Sequence, residues 1–283
     1  MKAACIILSV LIFIAILAVC VMVKFATDIT VEERKRDSLS ASGVYQLSKS
    51  MGVVHLSENY SYNYAERFPF VAAVTKNHAK TYSFACFASV ILIKWIVTSA
   101  HCRHHGATHR VLLYYDFARN YSHTYSILFW RIHEKFNSSN PTPKFDIAVA
   151  KLNIDYYPFM IKSAVFDDQE ANDVEASVWK TLSTMDRRAY LTNDFDKFYV
   201  KIVQKQRCYE SYGIDLDDSL ICIDLSDYED CFVQEFGPVF AKDKVVGILA
   251  VKPRDCDTKL AIFTNVSYYT NWILKSTHTA LYG

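Results

Sequence analysis

The stretch Val97-Thr98-Ser99-Ala100-His101-Cys102 closes a run that begins at Ser89 and consists largely of β-branched and apolar residues. A run of that composition reads as a strand, and the small and polar residues after it as the place where the strand stops. The same pattern recurs over residues 70–75, 110–117, 124–133, 146–152, 198–203, 219–223, 238–240, 245–251 and 261–265, with polar breaks at hairpin-like spacing. Many short strands without helical periods between them predict an all-β sandwich or a pair of barrels. The exception is the end of the chain, where Tyr269, Trp272 and Ile273 fall at helical spacing and predict a short helix over 267–276.

Composition narrows the function classes. The chain has 283 residues, 51% of them hydrophobic, and 31 basic against 30 acidic side chains. It is long enough to bury a core without depending on staples, and too apolar for disorder. A net charge of +1 lacks the electrostatic footprint of a nucleic-acid binder. Glycine is scarce: there are 7, where average usage of about 7% gives roughly 20. Either tight turns are written without their usual residue or those turns are gone.

Residues 3–23 form an apolar run whose most polar member is Ser9. As a helix it would span roughly 30 Å, enough to cross a bilayer. Ala18-Val19-Cys20 is a passable cleavage site, so residues 1–26 read as a signal peptide or a signal-anchor helix, and both stay open. Lys2 lies on one side of the run and Lys24, Arg34, Lys35 and Arg36 on the other, so flanking charge does not decide. Either form directs the remainder into the secretory pathway, which predicts an extracellular protein, secreted or held by a single membrane anchor. Residues 27–56 are polar and carry Glu32-Glu33-Arg34-Lys35-Arg36-Asp37, the pattern of a stalk or pro-segment with a dibasic processing site at Arg36.

Two of the eight cysteines, Cys5 and Cys20, lie in the leader. The other six behind a secretory leader suggest disulfides, with 15 pairings allowed. Local pairing in order is the simplest: Cys86 with Cys102, Cys208 with Cys222, Cys231 with Cys256. No Cys-x-x-Cys pattern favours structural zinc. Sequons at Asn59, Asn120, Asn137 and Asn265 fit the same compartment.

The stretch around His101 resembles the histidine segment of the chymotrypsin/trypsin-like serine proteases. Cys86-Phe87-Ala88-Ser89-Val90-Ile91 is similar to the strand before it, and Phe145-Asp146-Ile147-Ala148-Val149 to the segment with the family's buried aspartate. Phe68-Pro69-Phe70 resembles the entry to the first barrel, Gly237-Pro238-Val239 the end of the nucleophile motif, and Trp272-Ile273 the final helix. The resemblance implies two six-stranded antiparallel β-barrels over residues 57–280, one about 68–155 and the other about 156–265, with the site between them.

Where the family carries its serine, Cys231-Phe232-Val233-Gln234-Glu235-Phe236-Gly237-Pro238 places Glu235. A carboxylate has no proton to give an imidazole at neutral pH. Val233 takes the place of the glycine that leads the oxyanion hole, and Gln234 that of the aspartate that receives the activation terminus. The terminus should begin near Ser57, where Leu56-Ser57-Glu58-Asn59-Tyr60 has neither a basic cleavage residue nor the family motif. At the pocket, Glu229 takes the base, Ala261 a wall glycine and Lys252 the glycine of the substrate edge. Lys252 pairing with Glu229 would plug the slot; two solvated charges is the alternative. His101 and Asp146 would persist as a hydrogen-bonded couple, or Glu235 on the other face of the imidazole would hold it as imidazolium.

The resemblance thus implies a catalytically inactive serine protease homologue. It would be a binding or regulatory module for protein partners such as proteases, inhibitors or surface proteins, without cofactor, metal or nucleic acid. His104, His105 and His109 extend a histidine patch from His101, but no ligand pattern accompanies them. An active hydrolase with another nucleophile and a receptor-like surface protein are the alternatives.

Overall fold

The computed structural model describes residues 68–78, 81–92, 94–117, 123–140, 142–154, 164–166, 174–183, 189–228, 236–255 and 257–278. All of them lie in one compact unit that runs from Ser48 to Gly283. The leader, the stalk, Arg36 and the segment near Ser57 lie outside the described residues.

Strands β1 (Val71–His78), β2 (Thr81–Leu92), β3 (Trp95–Thr98), β4 (His109–Leu113), β5 (Tyr125–Ile132) and β6 (Ala148–Asn153) close into one barrel in the order β1-β2-β3-β6-β5-β4. Strands β7 (Val174–Ser183), β8 (Ala189–Val203), β9 (Leu220–Asp224), β10 (Val239–Ala241), β11 (Lys244–Val251) and β12 (Leu260–Asn265) close into a second with the equivalent order. All pairings within the barrels are antiparallel. The register shifts at Val74/Thr75, Val90/Leu92 and Leu249/Val251 supply the extra bend that lets so few strands close.

The seam between the barrels is aromatic. Phe70 packs on Phe240 with ring centres 4.5 Å apart, and Phe68 meets both Phe195 and Phe240 at 6.0 Å. Tyr114 stacks on Phe195 at 4.0 Å. Five of the chain's aromatic rings thus join the barrels. The segment 164–166 stitches them through the backbone: Ala164 N–H donates to Val90 O, Val165 N–H to Asp243 O, and Val245 N–H to Val165 O.

Four local differences from the sequence reading have physical causes. The run 89–98 is broken at Lys94, whose φ of 67° turns the chain between β2 and β3. The run 110–117 leaves the sheet after Leu113 for one helical turn, α1 (Tyr114–Phe117). Strand β7 and the start of β8 lie where no strand is predicted. Helix α2 (Lys205–Tyr212) interrupts the all-β pattern and is stopped by Gly213 at φ 68°, whose N–H donates to Tyr209 O. The last helix, α3 (Thr270–His278), follows a 3₁₀ turn that buries Tyr269, and itself buries Ile273, Ser276 and Thr277.

Candidate functional site

His101 sits on the 3₁₀ turn Ala100–Cys102 that ends β3, because Ser99 leaves the strand and Cys102 is tied back to β2 through the Cys86–Cys102 disulfide. Asp146 lies just ahead of β6, which pairs with β3, so the sheet brings the two residues together. Asp146 Oδ2 accepts from His101 Nδ1 at 2.6 Å, and Oδ1 accepts the His101 backbone N–H at 3.0 Å. In this hydrogen-bonded pair the carboxylate is 4% exposed and the imidazole 39%. With Nδ1–H given to the carboxylate, the neutral ring leaves Nε2 as its acceptor, the tautomer a general base requires. Nε2 lies 3.5 Å from Cys86 Sγ, whose disulfide leaves it no proton to give.

The second barrel and α3 hold this pair from behind. Thr264 Oγ1 on β12 donates to Asp146 O at 3.1 Å, and Ser99 Oγ donates to Leu249 O on β11 at 2.7 Å. Phe145 adopts φ 62°, with its N–H donated to Tyr269 OH and its carbonyl accepting Ile147 N–H at 2.8 Å, a tight turn centred on Asp146. The Phe145 ring stacks on His133 at 4.8 Å, and His133 stacks on Trp272 at 5.1 Å. Burial lowers the His133 pKa and raises that of Tyr269, so the stack is neutral at ordinary pH. Ser99, Thr264, Phe145, His133 and Tyr269 are supporting residues that motif matching does not single out. A hydroxyl beside the histidine and a residue before the aspartate carry no signal until the fold sets them face to face.

Glu229, Cys231, Val233, Gln234, Glu235 and Cys256 lie outside the described residues, and so does the Cys231–Cys256 pairing. Their neighbours are placed. Phe236 is 2% exposed, in the core of the second barrel with Phe198, Tyr228 and Val239. Across a seam with no room for a water molecule, Phe236, Pro238 and Leu249 face Cys86, Phe87 and Ser99. Gly237 is fixed by sterics: a Cβ there would come 2.6 Å from Ser177 O, the carbonyl that accepts the Gly237 N–H. Ala261 is fully buried and Lys252 exposed at the end of β11. The Cys208–Cys222 disulfide ties α2 to β9.

Cys86, His101 and Cys102 bring three donor atoms within 4.8 Å of one another, but both sulfurs are spent in the disulfide and offer no thiolate to a metal. His109 Nε2 accepts the His104 N–H, and its ring is held at Ala107, so this histidine also has no nitrogen to offer.

The family model for trypsin matches residues 59–273. A collagenase from Hypoderma lineatum is 27% identical over 224 residues, 76% of this chain and 84% of that protein. Trypsin Blo t 3 from Blomia tropicalis is 25% identical over 207 residues, 68% of this chain and 76% of that one. The fold is that of neuropsin, a serine protease expressed in the limbic system of mouse brain, at a TM-score of 0.60 and 20% identity, covering 75% of this chain and 96% of neuropsin. With two closed barrels, a histidine–aspartate pair at the end of β3 and a family match over most of its length, this chain belongs to the trypsin family.

Proposed function

We propose that this trypsin-family chain does not cleave peptides and works outside the cell as a binding or regulatory module for protein partners. The observation that carries the reading is Glu235 at the position of the family's serine hydroxyl. Loss of the nucleophile in such a site costs about 10⁶ in turnover. Val233 and Gln234 remove the flexible oxyanion backbone and the acceptor of the activation terminus, and each loss adds to the first. The buried Phe236 supports the same reading, since a bulky ring fills the place of a glycine in the nucleophile turn. The two disulfides and the apolar leader support an oxidising, extracellular location.

One observation favours a second reading. The 2.6 Å hydrogen bond between His101 and Asp146, with a partly exposed ring, is the geometry of a working general base, which would serve a hydrolase with another nucleophile. A fluorophosphonate probe, with a panel of peptide substrates, separates the two on the purified chain. The pseudoprotease reading expects no labelling and no cleavage. Labelling that disappears in His101→Ala establishes the hydrolase and overturns it.

A further inference from the structure

Directly after the histidine turn, residues 103–109 and strand β5 enclose a cavity of about 270 Å³. Arg103, His104, His105 and His109 line it on one side and Trp130 and Ser126 on the other. Among the described residues, no carboxylate lines it. Lys76 on β1 reaches the same cluster and places its Nζ 3.0 Å from His104 Nε2. A lysine donating to an imidazole is an unusual arrangement, because a proton on that imidazole would set two cations in contact.

The cavity wall is rigid where it is buried. His109 is 7% exposed and neutral, with its pKa lowered to about 4 by burial first and then by the charges of His104, Lys76 and Arg103. Its ring accepts the His104 N–H and meets Trp130 edge-on at 5.4 Å, so it fixes the loop while the outer side chains carry the charge. Burial also lowers the pKa of Lys76. An anion seated between Arg103, Lys76 and the exposed imidazoles would accept charge-assisted hydrogen bonds from several donors and let them hold their protons together.

We propose that this cavity binds a sulfate or phosphate group, either free or carried on a small saccharide that lies against Trp130. The site uses none of the residues on which the pseudoprotease reading rests, so it stands whether or not the chain cleaves peptides.

Inorganic sulfate is the probe of choice, because its charge does not change across the pH range of interest. Titration calorimetry on the full chain at constant ionic strength, with chloride as the reference salt, should show one saturable site. The titration is run at pH 5.5 as well as at pH 8, and saturable binding at pH 5.5 is the expected result. Arg103→Gln and Lys76→Gln should each weaken binding by about tenfold, while Lys205→Gln on α2 should leave it unchanged. A sulfated monosaccharide that binds more tightly than sulfate, with the gain lost in Trp130→Leu, assigns the carried form; equal affinities assign the free ion. No saturable binding at pH 5.5, or binding that Arg103→Gln and Lys76→Gln leave intact, overturns the site.

Discussion

The two barrels share a strand order, yet they treat the family's site residues in opposite ways. The first keeps His101 and Asp146 in hydrogen-bonding contact; in the second, Phe236 and Ala261 are buried and Lys252 is exposed at positions where the sequence resemblance expects the family's glycines. The difference follows what each residue does for packing. Asp146 accepts the His101 backbone N–H, and its own carbonyl accepts from Thr264 and so ties β12 to the first barrel. That pair is needed for the turn whether or not it is needed for chemistry. Gly237 and Gly247 are the family glycines the second barrel keeps, and both are crowded: a Cβ on Gly247 would come 3.1 Å from Ile221 and Phe263. At Phe236 and Ala261, where the sequence resemblance expects glycines, the side chains are packed into the second barrel instead.

The comparison breaks first at Phe236. If the glycine it replaces has become a packing position, Phe236→Ala should destabilise the second barrel by about 3–5 kcal/mol, as large apolar truncations do. Urea unfolding with disulfides intact measures this, and a loss under 1 kcal/mol would show that the ring is a passenger. Asp146→Ala should cost about 2–3 kcal/mol, less than a fully buried pair because the exposed imidazole can turn to water. Asp146→Asn, which keeps one acceptor oxygen, should cost less than Asp146→Ala. A catalytic relic with no structural duty would tolerate both without change, which would reverse the account of why the first barrel kept it.

The barrels were legible in the sequence where strands are short, β-rich and bounded by polar breaks, and the site where residues stand in motif order. Strand β7 escaped because the alternation of Val174, Ala176 and Val178 with Glu175 and Ser177 is broken by Trp179-Lys180, which stand in the opposite phase. Helix α2 escaped because eight residues give only one repeat of the helical period, Cys208 to Tyr212, although Gly213 marks its end. The supports of Asp146 are illegible for another reason. Phe145, His133, Trp272 and Tyr269 come from three separate stretches of chain, and only the closed fold makes them one stack.

The smallest effect concerns the missing glycines. Lys94 and Lys242 hold φ of 67° and 58° in hairpin turns of the first and second barrel, positions that an L side chain occupies at a cost of about 1–2 kcal/mol. Glycine removes that strain but brings about 0.5–1 kcal/mol of extra backbone entropy to lose. Lys94→Gly and Lys242→Gly should therefore each stabilise by about 0.5 kcal/mol, and the pair together should raise Tm by about 2–4 °C. Phe145 has the same backbone strain at φ 62°, but its ring is stacked on His133 and lies under Lys135, with Nζ 5.4 Å from the ring centre. Phe145→Gly should lose more packing than it gains in relief, and so should lower Tm. Equal shifts at all three positions would mean that the turn before Asp146 is only another loop; opposite signs would mark it as strain held in place by the stack against α3.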